Sequence, residues 1–176
     1  MAHQQYTAIE VADWFLRKVN RPSGDSINQL KLQVLLYFSE AWSLAAFDRE
    51  LFDEEIQGWE HGPVVYSVWD RLSMHGWNDL AADALSSSSE FDAETTALLS
   101  DVFQAYAEFP TAELEKMVHK DAPWKEARHG LPPWDLTKRP INKTTMTHTY
   151  KAQFEADARQ DGHGELHRPL KEAHPS

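Results

Sequence analysis

The side chains that could carry chemistry in this sequence are histidines and carboxylates, because the chain has no cysteine. Among its nine histidines, only His163 and His167 have the i, i+4 spacing that places two metal ligands on one helix face. They fall in a polar C-terminal stretch. His61 and His119 are distant in sequence and could act together only if the fold joins them. A metal-dependent hydrolase that uses His61 and His119 is the alternative hypothesis for this protein. The favoured interpretation includes neither a metal nor a cofactor.

Motifs that would indicate an enzyme are absent from the sequence. The seven glycines are scattered, so neither a phosphate-binding loop nor a dinucleotide fingerprint occurs, and there is no Gly-x-Ser-x-Gly elbow. The acidic run Asp53-Glu54-Glu55 is contiguous and is not the spaced pair of carboxylates that glycoside hydrolysis requires. The sequence therefore favours a protein without catalytic residues.

The net charge of −11 is concentrated in the middle of the chain. Residues 51–110 contain one basic residue, Arg71, and twelve acidic ones, whereas the segments on either side are nearly neutral. Phosphate binding requires clustered Lys and Arg, so we expect no direct contact with nucleic acid. The acidic segment has two interpretations that the sequence leaves open. It can attract a basic partner protein, or it can be a solvated face that keeps the domain soluble.

Neither a membrane span nor a secretory signal is predicted. The longest unbroken apolar run, Val34 to Phe38, is far shorter than the ~20 residues that a membrane-spanning helix needs. The first five residues, Met-Ala-His-Gln-Gln, lack the basic and apolar regions of a signal peptide. We therefore expect a cytoplasmic protein that does not contact a membrane.

Apolar residues at helical spacing predict most of the secondary structure. Thr7 followed by Glu10 predicts a capping box at the start of the first helix. A second helix is predicted with Ser26 as its N-cap and an end near Ala46. It is apolar on almost all sides, which is typical of a buried central helix, and Trp42 within it is expected in the core.

The pattern changes between Leu51 and Val65, where short apolar pieces favour a small extended element. Pro63 is expected to begin the next helix. Further helices are predicted after Asp92, Pro110 and Asp121, and from Ile141 to about Ala158, with a proline-rich connector over residues 131–140. The predicted fold is mainly α: a compact single-domain helical bundle around a buried central helix, with at most a two-stranded element. Residues 1–158 form this domain, and 159–176 are predicted to be a disordered tail.

Of the six tryptophans outside the predicted central helix, four are singled out here: Trp59, Trp69, Trp77 and Trp124. Tryptophan is common both in hydrophobic cores and at binding hot spots. Trp59 and Trp124 each lie near a proline-containing turn and a histidine. The sequence leaves open whether these two side chains belong to the core or to an interface.

Several short segments, taken in order, resemble the Panacea domain, the SocA-like antitoxin family of bacteria and phages. The segments are Asn28 to Phe38, Leu51 to Ile56, Trp59 to Val64, Glu113-Leu114 before His119, and Pro123-Trp124. The resemblance extends from about Ile9 to Phe154. Val34 stands where the family usually has lysine, and Val118 stands where threonine is common.

The resemblance implies an antitoxin that neutralises a cognate toxin by direct protein contact. Toxins paired with this family include RNA-targeting enzymes that modify tRNA, and at least one branch delivers its toxin to a Clp-type protease. A role in shaping the turn and joining helices is the alternative for the motif residues. The candidate toxin-binding or motif residues are Asp53, Glu54, Glu55, Trp59, His61, Gly62, Pro63, His119, Pro123 and Trp124.

Overall fold

Seven α-helices and one two-stranded antiparallel sheet make up residues 4–161, the part of the chain that the computed structural model describes. The helices are α1 (Ala8–Lys18), α2 (Gln29–Phe47), α3 (Tyr66–Leu72), α4 (Ala93–Tyr106), α5 (Thr111–Lys120), α6 (Ala122–Ala127) and α7 (Lys143–Asp161). The strands are β1 (Gln57–Trp59) and β2 (Gly62–Val64), and short 3-10 helices occupy Arg21–Ser23 and Ser73–His75. The predicted mainly α fold with a small two-stranded element is confirmed.

The centre of the fold is α2, in which 16 of the 19 residues are buried. It packs against α1, α4, α5, α7 and β2. Trp42 lies in this core as predicted, and its indole Nε1 donates a hydrogen bond to the Tyr106 hydroxyl at 3.2 Å. Phe38 stacks on the same tyrosine ring with a centroid separation of 3.9 Å. None of the helices in residues 4–161 is long and apolar enough to cross a lipid bilayer.

Polar side chains on α2 bind elements on different sides of the helix. The Gln33 amide accepts from the Val65 N–H at 2.8 Å and donates to the Val65 carbonyl at 3.4 Å, directly before α3. The Tyr37 hydroxyl donates to Asp121 Oδ2 at 2.5 Å, and Tyr150 of α7 donates to the same oxygen at 2.6 Å. These bonds fix α3, the α5–α6 junction and α7 against one helix.

The helix starts follow the predicted capping in two cases. Thr7 and Glu10 form the capping box of α1, and the Asp92 carboxylate accepts from the Thr95 N–H at the start of α4. The prediction of Ser26 as the N-cap of α2 is wrong, because Asn28 caps that helix. The buried Ile27 carbonyl accepts from the Leu80 N–H at 2.8 Å, and this bond to another segment precedes the helix start.

Two other predicted boundaries differ from the structure. Pro63 does not begin a helix, because it lies in β2 opposite Gly58. The helix α3 begins three residues later, directly after Val65, which is hydrogen-bonded to Gln33. The last helix extends to Asp161, so residues 159–161 of the predicted tail are helical. The rest of that predicted tail, 162–176, lies outside the described residues.

The buried carboxylate of Glu40, on α2, contacts both a loop and a lysine. Its Oε2 accepts from the N–H groups of Leu51 and Phe52 at 2.9 and 3.2 Å, and its Oε1 lies 3.3 Å from Lys143 Nζ. Burial raises the pKa of the Glu40 carboxyl to about 7, although Lys143 and the two N–H groups act in the opposite direction. The folded protein therefore binds a proton at Glu40 more tightly than the unfolded chain does.

This difference predicts a stability that falls with rising pH. The ordinary pKa of a glutamate carboxyl is 4.5, so below about pH 4.5 Glu40 is protonated in both the folded and the unfolded protein. Between this pH and about pH 7 only the folded protein keeps the proton. The free energy of unfolding should therefore decrease by about 3 kcal/mol through this window. Urea denaturation at several pH values measures the decrease.

Glu40→Gln should remove most of this dependence of stability on pH. Glu50→Gln should retain it, because Glu50 is an exposed carboxylate that lies 3.6 Å from Lys143. Parallel profiles for the wild type and Glu40→Gln would contradict the assignment.

Candidate functional site

The hairpin formed by β1 and β2 contains four of the ten candidate residues: Trp59, His61, Gly62 and Pro63. Its register pairs Gln57 with Val64, and Trp59 with Gly62, around a turn at Glu60 and His61. Gly62 has a φ of +146°, a conformation that side chains with a Cβ rarely adopt, so this turn requires glycine. Both Gly62 and Pro63 are buried.

A chain of aromatic contacts joins the hairpin to α5 and α6. The Trp124 indole Nε1 donates to the Trp59 carbonyl at 3.0 Å. His119, in the last turn of α5, stacks on Trp124 with a centroid separation of 4.4 Å and an interplanar angle of 19°. His119 Nε2 lies 3.1 Å from the Glu60 carbonyl, which can only accept, so this nitrogen carries the hydrogen. Pro123 is buried in the first turn of α6 beside Trp124. The fold thus brings these motif residues together, and their contacts hold the hairpin in place.

The connector at residues 131–140 is attached to the hairpin by Arg128, a buried residue that follows α6 directly. One edge of β1 is also covered by this connector, since the Gly58 N–H donates to the Arg139 carbonyl at 2.8 Å. The Arg128 guanidinium donates to four backbone carbonyls, those of Gly58, Pro132, Pro133 and Asp135, at 3.0–3.2 Å. A planar group with five N–H donors suits this arrangement, which a single ammonium would satisfy only in part.

A groove of about 310 Å³ lies between the hairpin, α3 and the connector. Trp59, Trp69 and Trp77 line it, and the Tyr66 ring lies next to Trp59. We call the groove together with these four rings the aromatic groove. Ring centroids are 5.3 Å apart for Trp59 and Trp69, 5.8 Å for Trp69 and Trp77, and 6.5 Å for Trp59 and Tyr66. Leu136 and Lys138 of the connector also line the groove.

His61 and His119, the pair in the hydrolase hypothesis, both lie near one carboxylate. His61 Nδ1 is 3.0 Å and His119 Nε2 is 3.8 Å from Glu115 Oε1. His119 Nε2 is nevertheless occupied by its hydrogen bond to the Glu60 carbonyl. Within residues 4–161, no group of three or more His, Asp or Glu side chains has an arrangement that could hold a metal ion. His163 and His167 lie outside the described residues.

The acidic run at residues 53–55 is separate from these motifs, and its three members differ. Asp53 and Glu55 are exposed, whereas Glu54 is half-buried and accepts from the Ala8 N–H in the first turn of α1 at 2.8 Å. Glu55 accepts from the Gln57 side chain at 3.2 Å. In the described part of the chain, none of the three lines the aromatic groove.

Three residues of this region were not selected from the sequence: Tyr66, Arg128 and Lys138. Arg128 lies four residues after Trp124, a spacing that places both side chains on one side of a short helix. This spacing could have indicated Arg128 from the sequence. Tyr66 and Lys138 gave no signal, because their positions in the groove depend on how α3 and the connector pack.

A small helical domain whose motif residues support an exposed aromatic groove is typical of a protein-interaction module. A family model described as antitoxin SocA-like, Panacea domain, matches residues 32–125, more than half of the chain. The chain belongs to this family, and its membership supports a role in a toxin–antitoxin system. Comparison with curated proteins and with solved structures found no match.

Arg128→Lys tests the attachment of the connector. We expect a loss of about 2 kcal/mol in the free energy of unfolding, because lysine leaves several of the four carbonyls, including the buried one of Gly58, without a donor. Amide hydrogen exchange in residues 131–140 should accelerate more than exchange in α2 does. Arg139→Lys is the matched control, since Arg139 is exposed and its one side-chain hydrogen bond is to the His129 carbonyl. Equal effects of the two substitutions would contradict the role of Arg128.

Proposed function

We propose that this protein is an antitoxin that neutralises a cognate toxin by binding it directly, without catalysis, and that the aromatic groove is the centre of the contact surface. One observation carries the proposal. The large hydrophobic side chains exposed in the described part of the chain are confined to residues 66–77 and 134–136, the two segments that flank the hairpin. They are Tyr66 (45% exposed), Met74 (86%), Trp77 (57%), Trp134 (71%) and Leu136 (83%).

Exposing several apolar side chains to water costs free energy, and burying them against a binding partner would offset that cost. Exposed apolar side chains are common singly, but a group of them around a groove is a feature of interaction sites. Tryptophan and tyrosine also supply much of the binding energy at protein interfaces. Of the five exposed side chains, Trp77 and Leu136 line the groove and Tyr66 lies beside Trp59, and this exposure at one groove favours a protein partner on this face.

The family motifs have a supporting role in this proposal. His119 and Trp124 hold the hairpin through the carbonyls of Glu60 and Trp59, and neither of them is among the residues that line the aromatic groove. Gly62 and Pro63 shape the turn. Substitutions at these residues would weaken toxin binding indirectly, by displacing the groove.

The exposed carboxylates of the middle segment would add electrostatic attraction to a basic toxin surface. An enzyme that acts on RNA has such a surface, because it must bind phosphates. Asp53 and Glu55 are suited to this role by their exposure, whereas Glu54 is already bound to α1. Delivery of the bound toxin to a Clp-type protease would be a further step that uses the same complex.

The first test is rescue of growth. The adjacent gene is expressed from an inducible promoter with and without this protein, and co-purification is measured in parallel. We expect the neighbour to arrest growth, and this protein to restore growth while eluting with it. Rescue that depends on a Clp protease, with faster loss of the toxin, would support the adaptor step. A neighbour that does not affect growth would contradict the proposal for that gene pair.

Trp77→Ala should weaken toxin binding by about 10- to 100-fold if the groove is the centre of the interface. Titration calorimetry measures the change. Trp14→Ala is the matched control, because Trp14 is partly exposed on α1 and packs against Phe15 and Lys18, away from the groove. A larger loss of affinity for the Trp14 variant would place the interface elsewhere.

The electrostatic part is tested by charge reversal. The double variant Asp53→Lys, Glu55→Lys should slow association with the toxin, and the difference from the wild type should shrink as salt concentration rises. Glu54 is left unchanged, since reversing it would destabilise α1. Association rates that are insensitive to both changes would remove the acidic segment from the mechanism.

A further inference from the structure

The aromatic groove already holds a cation of the chain itself, the Lys138 ammonium. Lys138 Nζ lies 5.9 Å from the centroid of the Trp59 ring and 5.3 Å from that of Tyr66. A cation within about 6 Å of an aromatic face is attracted by the negative potential of the ring. We propose that this position is a binding site for an arginine side chain, which takes the place of Lys138 when a partner binds.

The shape of the groove favours a guanidinium over an ammonium. The indole planes of Trp59 and Trp69 are inclined by 59°, and those of Trp69 and Trp77 by 62°, so the rings face the groove from different directions. A planar, weakly hydrated guanidinium can stack on one of these faces, whereas an ammonium is a compact and strongly hydrated charge. Lys138 is exposed, so its ammonium can leave the ring faces for water at little cost.

A carboxylate is also present at the groove. Glu60 lines it, and the side chain is 36% exposed. Its Oε2 is 3.9 Å from His61 Nε2, too far for a hydrogen bond, and His61 makes its closer contact of 3.0 Å with Glu115. Carboxylates bind guanidinium groups through two parallel hydrogen bonds. Aromatic faces and a carboxylate at one groove are the two components that recognise arginine.

The charge of the segment that builds most of the site agrees with a cationic ligand. Residues 51–110, which supply the hairpin and all four aromatic rings of the groove, contain twelve acidic residues and one basic residue, and Glu60 is the one of the twelve that lines the groove. Lys138 comes from the connector on the opposite wall and is the cation that an arginine would replace. The identity of the partner as a toxin rests on the proposed function, but the site itself does not.

The probe is N-acetyl-arginine amide, and the neutral analogue N-acetyl-citrulline amide is the control. Both are titrated into the full chain up to about 50 mM, the range in which a single cation–π contact with a carboxylate half-saturates. Indole N–H signals of Trp59, Trp69 and Trp77 are followed by NMR. We expect saturable shifts with the arginine amide and much smaller shifts with the citrulline amide. Equal responses to the two amides, or no saturable response, would overturn the proposal.

Two variants give opposite expected results, which general unfolding cannot imitate. Lys138→Ala should strengthen binding of the arginine amide by about two- to fivefold, because a competing cation is removed. Glu60→Gln should weaken it by a similar or larger factor. A groove that binds only apolar groups would respond to neither substitution. Because no toxin is present in this titration, failure of growth rescue would contradict the proposed function while leaving the arginine site to be judged on its own.

Discussion

The burial of α2 on all sides is the constraint on which the rest of the structure depends. A helix in the middle of a domain has no face on which polar side chains can reach bulk water, so each must find a partner within the protein. Gln33, Tyr37 and Glu40 meet this requirement with Val65, with Asp121, and with the Leu51–Phe52 backbone and Lys143. The partners lie in different parts of the chain: before α3, between α5 and α6, in the loop after α2, and at the start of α7. The hydrogen bonds that α2 needs are therefore also the bonds that set the positions of its neighbours.

These positions determine the groove. Gln33 holds the residue before α3, and α3 provides Tyr66 and Trp69. Tyr37 and Tyr150 share Asp121, which lies between the helices that present His119 and Trp124 to the hairpin. The central helix also reaches the groove directly, because Leu30 and Gln33 of α2 are among the residues that line it. Burial of apolar area provides most of the stability, while the directional bonds determine which side chains remain exposed.

Local patterns predicted the elements well and their junctions less well. The continuous apolar surface of α2 and the capping residues Thr7 and Asp92 depend on neighbours in sequence, so they were readable. Ser26 and Pro63 were assigned to helix starts on local preference, and both assignments were wrong: Asn28, two residues after Ser26, is the cap that forms, and Pro63 lies in β2, before Val65, which binds Gln33. The sequence did not predict the convergence of Trp59, His119 and Trp124, because these residues come from separate elements that only the packed fold brings together. The contribution of Lys138 to the groove needs the packed connector and could not be predicted.

The residues that the family model matches include only part of the groove lining. This division is relevant to the specificity of the groove for a partner. The matched region ends at residue 125, three residues before Arg128. The connector, which supplies Leu136 and Lys138 to the groove, lies beyond that match but is attached to the hairpin through Arg128 and the Gly58–Arg139 bond. One wall of the groove is therefore built by the matched region, and the other by a segment beyond it that is attached through backbone carbonyls. Because backbone carbonyls are the partners of Arg128, side chains on the connector can change without loss of that attachment. Such an arrangement allows one scaffold to present different chemistry to different partners.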